Sequence, residues 1–297
     1  NQSWPAFISG VQQEAINQGI KPNVVYRATQ NLKPSRKVLR LDRSQPEGRL
    51  TYLRYRNTRA DAYRIKLGRR ELAKHRMLVQ GIAQHYDVSA CYIISLWGLE
   101  TSFGRFRGSF PVIQSLATLA FDGRRSDFFR HQLLLALHIL DQGEVSLPDY
   151  KGEWAGASGH PQFLPSSWHN FAVDYNQDGR RDIWNTLPDA LASIANYLKG
   201  HGWQGNTPTA VTVRLPSSFN HALAGLETSK TVAQWRALGV RLDKGVWPSG
   251  QLVASVVEPD GGPALMVFNN FKVLMKWNRS IYYAGTVGYM ADAVCRR

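Results

Sequence analysis

With 297 residues, 43% of them hydrophobic, the chain is long enough to bury a substantial core, as one large domain with a smaller lobe. No apolar run approaches the ~20 residues of a membrane-crossing helix; the longest, around 133–140, is broken by His138. A net charge of +14 and a pI near 10.0 call for a polyanionic partner such as nucleic acid, anionic lipid or bacterial cell wall, and the scatter of Lys and Arg along the chain weighs against nucleic acid.

The sequence opens at Asn1 with no basic or apolar leader and no N-terminal cysteine for a lipid, so the expectation is an exported, periplasmic protein whose signal peptide has been removed. Phe7, Ile8, Val11 and Ala15 then follow the three-and-four spacing of an amphipathic helix over 4–18, and Pro22 suits the first turn of a second helix. Residues 30–48 are rich in Lys, Arg and Pro, have no period, and read as an extended surface connection. Helical character returns at Leu50 and runs to Tyr86, with Tyr52, Tyr55, Tyr63, Ile65, Leu72, Met77, Leu78 and Ile82 inward. The arginines of this stretch (Arg54, Arg56, Arg59, Arg64, Arg69, Arg70) read as a solvated face.

The stretch 91–104, CYIISLWGLETSFG, breaks the amphipathic pattern. Tyr92, Ile93, Leu96, Trp97 and Leu99 leave almost no polar surface, so the spacing predicts a buried helix from Ser89 with Gly104 as its stop. Its one acid, Glu100, falls in the last turn, at the negative end of the helix dipole and between Trp97 and Phe103 in sequence; both surroundings disfavour the ionised form. A carboxylic acid kept protonated near neutral pH can protonate a leaving group, as in the cutting of glycosidic bonds. The plainer reading is a glutamate at the rim of a core helix, paired with an arginine. Cys91 and Cys295 are either two buried thiols or one disulfide joining this helix to the C-terminus.

A loop over 105–112 leads to a helix over 113–121, and Arg124 and Arg125 open the next, through HQLLLALHILDQG. Two cations at a helix N-terminus oppose the dipole, which leaves a ligand role open for both. In KGEWAGASGHPQFLPSSW (151–168) the small residues allow close backbone approach, and Gln162 beside Phe163 offers an amide next to an aromatic face, as sugar sites do; a tight Gly-rich turn before a helix at Pro165 explains the glycines equally well. The run DYNQDGRRDIWN, 174–185, has oxygen donors at Asp174, Asn176, Asp178 and Asp182 with Gly179 at the sharp turn, the alternation of a calcium loop. Asn185 replaces the bidentate glutamate at position twelve, so the candidate metal set, Asp174, Asn176, Asp178, Arg180, Asp182 and Asp189, draws on Asp189 for a further carboxylate; the alternative is an Asx-rich turn.

The pattern over 186–203 reads as a helix ending at Gly200, after which 209–215, 252–257 and 264–268 read as strands around a short helix at 232–238. The fold class is therefore α+β, mainly α, with domains 1–205 (270–297 packing back on it) and a β lobe over 206–269. The end of the chain carries Lys276-Trp277-Asn278 and a helix over 281–294 that starts with Tyr282 and Tyr283.

Taken together, WGLETSFGR (97–105), SLATLAFDGRR (115–125), KGEWAGASGHPQFLPSSW, AVDYNQDGRRDIWN (172–185) and IANYLKGHGW (194–203) resemble the lytic murein transglycosylase B family, over roughly 50–205 and again at KWNRSIYY. The resemblance implies a lysozyme-like helical domain with a small β lobe. It implies cleavage of the MurNAc–GlcNAc bond of peptidoglycan without water to leave a 1,6-anhydro ring, no cofactor for the chemistry, and glycan strands and muropeptides as partners. It puts acid and base at Glu100 and places Tyr55, Arg124, Arg125, Gln162, Phe163, Tyr197, Asn278 and Tyr283 along the substrate. Where the family has serine, methionine, tyrosine and glycine, this chain has Glu153, Ser158, His160 and Pro161, and Trp277 stands in place of a tyrosine. Glu153 either changes which stem peptides bind or opens a rival reading, a lysozyme-type hydrolase with a second carboxylate; a non-catalytic wall-binding protein is the rival from another class.

Overall fold

The computed structural model describes residues 2–44 and 50–296, and the chain falls into two compact units. Unit 1 comprises Asn1–Glu47 and Glu100–Tyr197; unit 2 comprises Gly48–Leu99 and Leu198–Arg297. Among the described residues no helix is long and apolar enough to cross a membrane.

Unit 1 is built on the hairpin of α8 (Val112–Asp122) and α9 (Ser126–Asp141), whose facing sides, Leu116 to Ala120 and Leu133 to Leu137, are apolar enough to zip together. Helix α1 (Trp4–Asn17) lies against this pair through the expected Phe7, Ile8, Val11 and Ala15, with Ser3 accepting the Ala6 N–H as its cap. Trp4, Phe7 and Phe121 stack there at 5.2–5.8 Å. Helix α2 (Pro22–Thr29) begins at its proline as the sequence indicates. The expected surface connection at 30–44 is instead interrupted by a third helix, α3 (Arg36–Arg43), capped by the Ser35 hydroxyl; residues 45–48 of that stretch lie outside the described part. Its polar sequence hides the reason it folds, which is that Val38 and Asp42 turn inward. Strands β1 (Phe110–Pro111) and β2 (Lys151–Gly152) form a two-residue antiparallel ladder within the expected loop segments, and α10 (Pro165–Phe171) docks on α9 through a reciprocal Gln132–Ser166 pair at 2.8 and 3.0 Å.

In unit 2 the stretch 50–86 is three helices, α4 (Tyr52–Arg59), α5 (Ala62–Lys74) and α6 (Arg76–Tyr86), separated by Asp61, which caps α5, and by His75. Each break resets the helical phase, so Tyr63 and Met77, expected inward, are exposed, while Leu67 and Val79 are buried. The arginine row is less solvated than expected: Arg56 stacks on Tyr289 and Arg59 on Tyr55, at 3.9 and 3.6 Å, and Arg69 donates to the Ala293 carbonyl. Helix α14 (Ile281–Cys295) packs on α4 and α5 so closely that a Cβ on Gly285 would sit 2.4 Å from the Tyr52 hydroxyl. The sheet has the order β4-β6-β7-β3-β5, all antiparallel: β3 (Ala210–Arg214), β4 (Lys230–Thr231), β5 (Arg241–Leu242), β6 (Val253–Val257) and β7 (Ala264–Val267). It closes over its own core of Val213, Val232, Trp235, Val256, Met266 and Phe268, with α12 (Val232–Ala237) as the short helix foreseen there.

Helix α7 (Ala90–Thr101) is as buried as its composition requires: Tyr92 through Gly98 are all inside. In unit 2 it is tied three ways, by a Cys91–Cys295 disulfide with Cα atoms 6.0 Å apart, by Tyr92 to the Thr209 hydroxyl, and by Ser95 to the Val287 carbonyl. The division between the units falls after Leu99, so Glu100 and Thr101 belong to unit 1.

Candidate active site

Glu100 is half-buried in the final turn of α7. The backbone beyond that turn is unusual: Ser102, Phe103 and Gly104 are successively left-handed, at φ 48°, 61° and 82°. For serine and phenylalanine this costs on the order of 1–2 kcal/mol each, so something must hold it. Three things do. Phe103 buries its ring; the Thr101 hydroxyl accepts from the Gly104 N–H (3.0 Å) and donates to the His160 carbonyl (2.9 Å); and the Thr101 carbonyl accepts the Phe106 N–H at 3.0 Å. The His160 ring lies directly on Gly104, where any Cβ would come within 2.3 Å of it. Burial above all, then the nearby Arg107 cation, pushes the His160 pKa down to about 4 against a weaker pull from Asp182, so the ring is neutral at pH 7. Arg107 itself donates to the Trp184 carbonyl. His160 stood out in sequence only as a departure from the family, and Thr101 and Arg107 not at all; the hydroxyl immediately after the acid was the available signal.

The second wall of this region is the 151–163 segment. Ser158 bridges to both Gly152 and Phe163, and its hydroxyl accepts from the Trp184 indole at 3.0 Å. Gln162 sits at φ 56°, which turns its amide toward the 105–108 loop: Nε2 donates to the carbonyls of Arg107 (3.1 Å) and Gly159 (3.0 Å), leaving Oε1 buried with no partner among the described residues. The expected pairing of an amide with an open aromatic face is not what forms. Phe163 is 4% exposed and packs against Tyr197, itself 8% exposed and flanked by Phe171 at 4.8 Å; burial pushes the Tyr197 pKa up to about 12. Glu153 extends into solvent from the turn after β2.

Arg124 and Arg125 each have a structural partner. Buried Asp42 of α3 accepts the Arg124 N–H at 3.3 Å and faces its guanidinium at 3.7 Å, and Arg125 stacks on Phe128 at 4.0 Å. Both side chains remain exposed. The other candidates belong to unit 2. Tyr55 is half-buried beside Tyr282 and under Arg59, Trp277 closes α13 (Asn269–Trp277), Asn278 is exposed as its C-cap, and Tyr283 is buried in the first turn of α14, its N–H held by the Ser280 hydroxyl.

In the 174–189 loop, carboxylate oxygens of Asp174, Asp178 and Asp189 lie within 4.8 Å of one another. Asp174 accepts the N–H groups of Asp178 and Gly179, Asp178 that of Arg180, and Asp189 those of Tyr175 and Asp182, which shapes the loop and leaves further lone pairs on each carboxylate. Hard oxygen donors in such a cluster suit a calcium-sized cation. Asp182 is not brought into it: its oxygens accept from the Trp184 and Asn185 N–H groups and the Thr186 hydroxyl, ahead of α11 (Leu187–Gly200). Asn176 bonds to Asp178, and the Arg180 side chain turns away to the Gly143 carbonyl.

Comparison with known proteins gives one answer. The transglycosylase SLT domain family matches residues 3–292. Membrane-bound lytic murein transglycosylase B of Escherichia coli (strain K12) is 30% identical over 288 residues, which cover 95% of this chain and 77% of that one. SltB3 of Pseudomonas aeruginosa, solved in complex with NAG-anhNAM-pentapeptide, superposes with a TM-score of 0.95 at 39% identity over 99% of this chain and 80% of that one. The E. coli lytic transglycosylase Slt35 in complex with calcium superposes with a TM-score of 0.82 at 28% identity, over 97% and 92% of the two chains. With the helical, lysozyme-like architecture and small β lobe in place, the chain belongs to the SLT transglycosylase family, the lytic transglycosylases of peptidoglycan.

Proposed function

We propose that Glu100 alone carries the proton chemistry of this lytic transglycosylase. The supporting observation is its placement: the last turn of a helix whose 92–98 stretch is buried, followed by a strained turn that Thr101, Phe103 and His160 hold rigid. Rigid positioning of the acid is what proton transfer in a transition state demands. Glu100 donates its proton to the glycosidic oxygen as the bond from C1 of MurNAc breaks, and the substrate's N-acetyl group stabilises the cationic centre. The resulting carboxylate then takes the proton of the C6 hydroxyl as that oxygen bonds to C1. The leaving GlcNAc gains the first proton, Glu100 recovers the second, and no water enters.

Gln162 fixes the 105–108 loop through its Nε2, and with buried Phe163 and Tyr197 it acts by positioning. Arg124 and Arg125 of unit 1, and Tyr55, Asn278 and Tyr283 of unit 2, are assigned to substrate contact by the resemblance; Glu153 and Trp277, which stand where that family has serine and tyrosine, join them by position alone. Asp174, Asp178 and Asp189 would hold a structural calcium ion, with Asn176 and Arg180 in the same loop; its chemistry is to neutralise three converging carboxylates, and the Slt35–calcium complex supports that choice. The disulfide supports a periplasmic location, since such bonds persist in oxidising compartments. Replacing Glu100 by Gln keeps size and removes the acid. Digestion of purified sacculi should fall about a thousandfold while sacculus binding survives; undiminished digestion would end the assignment.

A further inference from the structure

A groove in unit 1 takes no part in the chemistry above. Two adjoining cavities, of about 510 and 450 Å³, share a wall made by Arg27, Ala28, Leu147 and Pro148, along the last turn of α2 and the 145–148 loop. Together they fall in the range of ligand-binding clefts. Arg27 and Arg180 line the first, and Arg27, Lys33 and Lys151 the second; among the described residues no carboxylate lines either. The acids close in sequence are committed elsewhere, Asp141 to Lys21 (3.5 Å) and Glu144 to the Arg181 N–H (2.8 Å), or, as with Asp149, exposed outside the lining. Among the described residues Arg27, Lys33 and Lys151 have no ion-pair partner.

Among the described residues the lining also contains no aromatic side chain. Sugar rings and nucleobases are held by stacking on such rings, so neither suits the groove. What complements small aliphatic walls under a cationic rim is an extended ligand with several carboxylates and short methyl-bearing side chains. We propose that this groove docks the acidic stem peptides of peptidoglycan, as a wall contact separate from the proton chemistry. The inference rests on the reading of the chain as a wall enzyme and deepens it. It also accounts for cations that neither the fold nor the chemistry uses, in contrast to Arg124 and Arg125, whose Asp42 and Phe128 partners give them a structural role.

The test uses the full chain and the free stem tetrapeptide L-Ala-γ-D-Glu-diaminopimelate-D-Ala, released from sacculi by an amidase. Calorimetric or NMR titration should show saturable binding that weakens severalfold between 50 and 300 mM NaCl. The triple variant Arg27→Gln, Lys33→Gln, Lys151→Gln changes only surface cations, and should bind at least tenfold more weakly with an unchanged melting temperature. On stem-bearing sacculi it should digest more slowly than the wild type, and on sacculi stripped of stems at the same rate. Equal peptide binding by both proteins, no binding at about 10 mM peptide (about ten-thousandfold above a micromolar Kd), or an equal loss on both sacculi overturns the proposal. So does tighter binding to phosphatidylglycerol vesicles than to peptide, which assigns the groove to a lipid surface. The titration needs no turnover, so an active Glu100→Gln protein would refute the acid assignment while leaving this result standing.

Discussion

The two ends of α7 are held by opposite means. At its start, unit 2 fastens the helix with a disulfide, a Tyr92–Thr209 hydrogen bond and a Ser95–Val287 bond, all on unstrained backbone. At its end, unit 1 fastens it with left-handed residues that cost free energy, offset by one buried ring and one doubly used hydroxyl. The first arrangement adds stability and carries no chemistry. On the proposed reading the second gives up stability to fix the Glu100 carboxylate in place, since strain of this kind gathers at functional sites. Damage at the first end should therefore read out in unfolding, and damage at the second in turnover.

The largest effect expected on stability is at the first end. Cys91 and Cys295 are 204 positions apart, and in the chain-entropy model a cross-link closing so long a loop is worth about 5 kcal/mol. A Cys91→Ala, Cys295→Ala protein should lose about that much in denaturant unfolding, yet at low temperature, where it remains folded, should cut sacculi at close to the wild-type rate. A loss of rate larger than the loss of folded fraction would erase the contrast between the ends.

At the second end the expected signature is a pH dependence. Folded His160 takes its proton only near about 4, whereas the unfolded chain takes it near 6.5, so the unfolded state binds more protons throughout that window. Stability must then rise with pH across it, and acidification from 6.5 to 4 should remove up to about 3 kcal/mol. A His160→Phe protein should lose this part of the acid limb in melting temperatures recorded between pH 4 and 7. An unchanged limb would show that the ring on Gly104 is not its source.

Much of this division was legible in the sequence. A helix as apolar as α7 has one place to go, and its lone acid was conspicuous for that reason. The motifs spanning 97–203 carried the family, and the strands of the β lobe alternate plainly. What remained hidden depends on partners far away in the chain. Helix α3 reads as a charged linker because its inward Asp42 is neutralised by Arg124, 82 positions on. Tyr63 and Met77 were misplaced because the caps at Asp61 and His75 reset a phase that the eye carries straight through. Left-handed Ser102, Phe103 and Gln162 leave no compositional trace, and so the inward turn of Phe163 could not be foreseen.

Two smaller effects sharpen the comparison. The loop from Asp174 leads into α11 much as the 102–104 turn follows α7, but with Asp189 of the first turn of α11 it converges three carboxylates where the turn uses neutral groups. Chelation should therefore lower the melting temperature by the equivalent of about 2.7 kcal/mol relative to calcium at a hundredfold excess over its Kd, with magnesium restoring little of it. Gly104→Ala should cost about 1–2 kcal/mol from its left-handed φ, more if the His160 ring cannot shift, and should lower turnover severalfold by moving Glu100. Calorimetry and steady-state digestion would report the two separately.

The most direct test of a single proton carrier compares Glu100→Gln with Glu153→Gln. Mass spectrometry of the muropeptides released from sacculi should show 1,6-anhydroMurNAc ends from the wild type and from Glu153→Gln at similar rates, and almost none from Glu100→Gln. Anhydro products from Glu100→Gln at the wild-type rate, or their loss in Glu153→Gln, would contradict the account.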